Sequence, residues 1–165
     1  MSTTAHLMVL SRVYRSAVDK ALVGYGVSQA TAWPVILAGR LGDGVRQGVL
    51  AEALAVEGPS LVRVLDQLVA AGLMARREDP LDRRARTLHL TAAGHALRAQ
   101  IEDVLTVLRR QIFQGVSEED LMACLRVFDK LKTTLNYSPV ISSAVTPTAI
   151  PMATAAATGE TGPSP

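Results

Sequence analysis

The chain has 165 residues, 48% of them hydrophobic and 19% charged, which is enough apolar mass for one domain with a real core. Its 17 basic and 15 acidic side chains leave a formal charge of +2, so attraction to a polyanion has to come from a local cluster and not from a general positive field. A lone cysteine, Cys124, excludes an intramolecular disulfide and a multi-cysteine zinc site, and residues 1–10 lack the charged start and long apolar run of a signal peptide, so a reducing, cytoplasmic setting is expected.

In chain order, Leu7, Leu10, Val13 or Tyr14, Ala17 and Ala21 recur at helical spacing and predict a first helix ending near Gly24 and Gly26. Ser28 can cap a second helix through Trp33 to about Arg40. Pro34 falls inside it, at a cost of about 3 kcal/mol in a helix interior, which predicts a kink or a later start. After the loop Gly42-Asp43-Gly44, residues 47–56 predict a short third helix with Leu50 and Leu54 on one side. Pro59, with its fixed φ and missing N–H, suits the first turn of a fourth helix, with Gly58 just outside as a cap. Along that helix Leu61, Leu65 and Leu68 form an apolar face, while Ser60, Arg63 and Gln67 line the opposite one.

Residues 73–77 and 86–90 are short extended segments able to pair across the charged, turn-prone stretch 78–85, and Arg76, Arg77, Arg83, Arg84 and Arg86 crowd that hairpin. Thr91 then caps a long helix carrying Leu97, Ile101, Val104 or Leu105, Leu108 and Ile112, closed by Gly115. Ser117 and Asp120 resemble a capping box and open a last helix with Leu121, Leu125, Phe128, Leu131 and Leu135. These long stripes need a partner, which predicts that the terminal helices pack on each other and on a second copy of the chain. Cys124 lies beside the last stripe and is expected to be a buried, inert thiol. The Ser, Thr, Ala and Pro-rich segment 138–165 has no periodicity and is expected to be disordered, and the uncharged run 133–159 is too broken by Pro139, Pro147 and Pro151 to span a membrane.

The expected fold is mostly α with a small β wing. It divides into a helical dimerisation region, 1–25 with 92–137, and a nucleic-acid-binding lobe, 26–91. A groove-sized helix followed by a hairpin tipped with guanidinium groups suits double-stranded DNA. Arg63 can bind guanine O6 and N7 together and Gln67 can do likewise with adenine, while Arg83 and Arg84 suit a narrow, electronegative minor groove. As bland alternatives, these residues are a solvated helix face and a charged turn that keeps a hairpin soluble. Arg76, Arg77 and Arg86 are expected as phosphate contacts or surface charges. Arg12, Tyr14, Arg15 and Trp33 form a second group: a guanidinium near aromatic walls can hold an aromatic carboxylate, although Arg15 can instead pair with Asp19 while Tyr14 and Trp33 fill core. His6, His89 and His95 show no metal-like spacing, Ser60 lacks an activating neighbourhood, and no phosphate-cradling loop is present, so neither enzyme activity nor a cofactor is expected.

The ordered series of residues 59–68, Gly72-Leu73, Asp82-Arg83-Arg84-Ala85 and Leu88-His89-Leu90-Thr91 resembles the MarR family of bacterial regulators, most closely its SlyA-like branch, over residues 7–136. Ser28 with Trp33, and Phe113-Gln114-Gly115-Val116-Ser117, add to the resemblance. It implies a winged helix-turn-helix homodimer, joined through its terminal helices and bound to a pseudo-palindromic operator. Ser60, Arg63 and Gln67 would then face the major groove, Arg84 at the wing tip would enter the minor groove, and Asp82 would brace the wing through ion pairs; Pro59, Arg83 and Arg86 complete the expected DNA-binding set, with Arg83 paired to Asp82 or a phosphate. It further implies a repressor released by a small aromatic acid at the junction of dimer core and DNA lobe. An activator or anti-silencer, or a dimeric small-molecule-binding or scaffold protein not acting on DNA, are the alternatives. The chain departs from the family pattern where Arg46 and Gly48 replace the better helix-start residues usual before the third helix, at Pro34, and in its C-terminal extension.

Overall fold

The N-terminal stripe winds into helix α1 (Thr3–Leu22), capped by the Ser2 hydroxyl and followed by a short 3-10 turn at Val23–Tyr25, in a computed structural model that describes residues 2–82 and 85–137. Only part of the expected stripe is covered. Val18 and Leu22 are buried, whereas Leu10 and Val13 are 61% and 59% exposed, because no other element among the described residues covers the N-terminal half of α1.

Helix α2 (Gln29–Leu41) starts at the earliest possible residue and runs through Pro34, so the later start does not occur. Two features hold its first turn against the missing Pro34 N–H. Ser28 and Thr31 form a reciprocal cap, and the Gln29 amide donates to the Asp19 carboxylate on α1 at 2.6 Å. Asp19 is thereby used for α2, and no Arg15–Asp19 pair forms among the described residues.

A two-residue strand β1 (Val45–Arg46) leads into α3 (Gln47–Leu54), which stops short of Val56 because Ala55 turns left-handed at φ 52°. Helix α4 (Gly58–Ala70) begins one residue earlier than expected: Glu57 is the N-cap and Gly58 the first helical residue, with Pro59 next, still in the turn where no N–H is needed. Strands β2 (Met74–Glu78) and β3 (Arg86–Leu90) pair antiparallel, with Met74 opposite Leu90 and Glu78 opposite Arg86. The edge strand β1, which the sequence did not suggest, pairs with β3 through Val45 opposite Leu88 and gives the sheet order β1-β3-β2. Thr91 caps α5 (Ala92–Ile112) by accepting from the Gly94 amide, and Ser117 caps α6 (Glu118–Thr134) by accepting from the Asp120 amide.

Two apolar cores result, and α2 belongs to both. One face of α2, with Val35, Leu37 and Ala38, packs on Leu50, Leu61, Leu65, Leu68, Met74 and Leu88 of the helix-and-sheet lobe. Its other face, with Ala32 and Ile36, packs on Val18 and Leu22 of α1 and Ile101 and Leu105 of α5. A helix buried on both sides carries apolar residues nearly all round, which explains why Pro34 is itself buried. Polar side chains tie the same joint together: Arg98 of α5 donates to the Gly39 carbonyl at 2.9 Å, and Arg98 and Arg40 both reach Glu102. Gly39 O is among the last four carbonyls of α2, which have no partner within the helix, so α5 caps α2 from outside.

Helix α6 buries none of its residues within the chain. Leu125 and Phe128 are exposed, and so is Cys124, which corrects the expectation of a buried thiol: among the described residues nothing covers the stripe it adjoins. The expected disorder of 138–165 lies outside the described residues. Among the described residues no single helix is long and apolar enough to cross a membrane, and no three His, Cys, Asp or Glu side chains converge as a metal site.

Candidate nucleic-acid interface

Helix α4 separates its residues cleanly by face. Leu61, Leu65 and Leu68 are buried in the lobe core, which fixes the helix rotation and turns Pro59, Ser60, Arg63 and Gln67 outward. Among the described residues the side chains of Ser60, Arg63 and Gln67 have no hydrogen-bond partner, so their donors remain available to a ligand. The neighbouring acid, Asp66, does have a partner: Arg76 on β2 donates to its carboxylate and reaches the Val62 carbonyl at 3.5 Å. Arg76 is therefore a strut that holds α4 to the wing, not a surface charge or phosphate contact as its place in the arginine cluster suggested.

The wing is also built around a residue that sequence reasoning passed over. Asp79, 5% exposed, accepts from Arg46 Nε at 2.7 Å and from the Leu81 amide at 2.8 Å, and these two bonds hold its carboxyl below the usual carboxylate range, the Leu81 amide contributing most. Backbone bonds from Asp79 to Ala85, Asp82 to Asp79 and Ala85 to Asp82 close the turn. Asp82, to which the resemblance assigned bracing, has an interaction of its own, and Asp79 adds a buried carboxylate paired with Arg46. The signal for it was Arg46, a poor helix-start residue at a helix start.

Arg86 is exposed and pairs across the strands with Glu78 at 3.1 Å, while Arg77 is exposed. Arg83 and Arg84 lie outside the described residues. At the wing's root His89 is held by Asp43 at 2.7 Å and by Thr87 at 3.1 Å, a structural use. An open groove of about 400 Å³ runs between the start of α3 and the wing, lined by Arg46, Gln47, Gly48, Val49, Ala85 and Arg86.

At the second expected site, Tyr14 and Trp33 pack half-buried on the core shared by α1, α2 and α5. Arg12 and Arg15 are exposed on α1 and make no ion pair among the described residues. The structure thus brings the two aromatic side chains to one core and leaves the two guanidinium groups on the surface of the helix that carries Tyr14.

A family model described as "MarR family" matches residues 25–85, the segment from the end of the 3-10 turn to the wing. Among solved structures, the transcriptional regulator PA3341 is 31% identical with a TM-score of 0.76, and the alignment covers 83% of this chain and all of that one. CouR from Rhodococcus jostii RHA1, solved with p-coumaroyl-CoA, is 25% identical with a TM-score of 0.64, over 76% of this chain and 88% of CouR. MepR of S. aureus, solved as a DNA complex, is 19% identical with a TM-score of 0.74, over 82% of this chain and 98% of MepR, a likeness of fold.

Proposed function

The chain belongs to the MarR family, and we propose that it works as a homodimeric transcriptional repressor that binds a pseudo-palindromic operator in the cytoplasm and lets go on binding a small aromatic carboxylate. The observation that carries the DNA reading is the outward row Ser60, Arg63 and Gln67, unpartnered among the described residues on a helix whose other face is locked into the core. Unpaired donors on a rigid helix suit base edges in a major groove. Arg86 is exposed on β3, and Arg83 and Arg84 precede it in sequence; guanidinium groups suit phosphates and a narrow minor groove. The motif that includes Asp82-Arg83-Arg84-Ala85 supports a SlyA-like member of the family.

The dimer reading rests on the uncovered apolar side chains of α1 and α6, Met8, Leu10, Val13, Leu125 and Phe128 among them. Such faces are stable in water only when a partner covers them. The two recognition helices of a dimer would have to reach successive major grooves, roughly 34 to 36 Å apart. A ligand beside Tyr14 and Trp33, with Arg12 or Arg15 on its carboxylate, would act at the joint where α2 meets α1 and α5 and so could shift that spacing. CouR's p-coumaroyl-CoA supports an aromatic ligand; the free carboxylate rests on Arg12 and Arg15 alone.

The test is a competition assay on labelled duplex from the region beside the gene. Arg63→Ala should lose specific binding by a factor equivalent to about 1 to 3 kcal/mol while non-specific binding stays. Equal loss on specific and scrambled DNA would remove base readout from Arg63. Because the chain has a single tryptophan, Trp33 fluorescence should respond to benzoate in the wild type and much less in Arg15→Ala. An unresponsive Trp33 would move the ligand elsewhere.

A further inference from the structure

Arg46 occupies the N-cap of α3 and makes no capping bond. Ser, Thr, Asp or Asn there would satisfy a free amide and stabilise the helix. The Arg46 side chain instead leaves its own helix. It lies on edge strand β1 opposite Thr87 of the middle strand, and Thr87 is opposite Arg77 of β2. Its Nε meets Asp79, the residue just after β2, so the pair ties one edge of the sheet to the other across the middle strand at the base of the turn. The Asp79 side chain is 6% exposed and the Arg46 side chain 51%. A carboxylate that buried is retained only where its partners fix it.

We propose that Arg46 and Asp79 are positioning residues for DNA binding, a clasp that locks the wing to the start of α3 so that wing and recognition helix meet the duplex at one fixed separation. The inference rests on the DNA reading above. Its logic explains the missing cap: the helix start gives up a local bond so that its side chain can hold the wing. Asp79 also accepts from the Leu81 amide, so the clasp reaches into the turn itself.

The electrostatics give the test its sign. Asp79→Asn makes the protein more positive, and through charge alone should tighten binding to DNA. The clasp predicts the reverse, a loss of roughly tenfold, the size of one good groove contact. Arg46→Ser offers a capping side chain but removes the clasp and leaves the Asp79 carboxylate without its cation, so affinity should fall by a similar factor and melting temperature should fall as well. Arg46→Lys, which can still reach an acid, should recover part of it. In the double variant the losses should not add, because both substitutions remove one device.

Anisotropy of the labelled duplex, with thermal melting of each full-length variant, reads all of these. Asp79→Asn binding as well as or better than wild type overturns the clasp, as do additive losses, which would make Arg46 an independent phosphate contact. A wild-type chain without salt-sensitive DNA binding removes the DNA reading and the clasp together. A wild type that binds beside an unaffected Asp79→Asn removes the clasp alone.

Discussion

Asp79 carries a pH signature of its own. Its carboxyl is held below the ordinary value of 3.8 by the Leu81 amide first and Arg46 second, so the folded state binds that proton less readily than the unfolded chain does. The stabilisation is therefore complete above the ordinary value and disappears as pH falls through the lower folded one. The gap in melting temperature between wild type and Asp79→Asn should be constant at neutral pH and narrow below about pH 4. A gap unchanged into strong acid would mean that the carboxylate charge is not what stabilises the wing. Gly94 is the other position where one atom decides. A Cβ there would run into the Leu73 carbonyl oxygen, which cannot move without breaking its bond from the Thr91 amide. Gly94→Ala should lower stability by about 3 kcal/mol in denaturant melts. Neither effect was visible in sequence, because both depend on what lies across a joint between elements far apart in the chain.

At the scale of elements, local signals and tertiary ones separate clearly. Ser28, Thr91 and Ser117 act at helix starts as their chemistry suggests, and the Leu61, Leu65 and Leu68 stripe sets the face of α4. Thr91 does more than cap: its hydroxyl donates to the Gly72 carbonyl at 2.7 Å while accepting from the Gly94 amide, so it joins the end of α4 to the start of α5. Thr91→Val, which keeps the shape and removes the oxygen, should cost about 1 to 2 kcal/mol by thermal melting, and no loss would show that packing alone holds the joint. Pro34 misled because the propensity penalty was weighed without the Gln29–Asp19 bond and the burial that offset it. β1 was missed because two residues carry no periodicity, and only pairing with β3 makes Val45–Arg46 a strand. Arg76 looked like one more basic residue of the cluster until Asp66, ten positions away, came within reach.

For the molecule as a whole, α2 is the part from which the rest is hung, since the lobe core and the α1–α5 core meet on its two faces. Any change of lobe angle has to pass through that helix and the Arg98, Arg40 and Glu102 network beside it. The terminal helices complete the account only with a second copy. Phe128→Glu on the uncovered face of α6 should convert a dimer to monomer or unfolded chain in sedimentation, and an unaffected dimer would place the interface elsewhere. The stripes on α1 and α6 were legible as apolar faces, but which parts a single chain leaves open was not, because periodicity shows that a face is buried without showing against what. On the proposed function, two such lobes hold duplex DNA through a few placed cations and not through a general charge of +2. The most direct measurement is the affinity of the full-length protein for a duplex from beside its gene and for a scrambled one, by fluorescence anisotropy across a salt series. The account predicts tighter binding to the first, with affinity falling linearly in log salt as phosphate contacts release counterions. Equal, weak and salt-insensitive binding to both would contradict it.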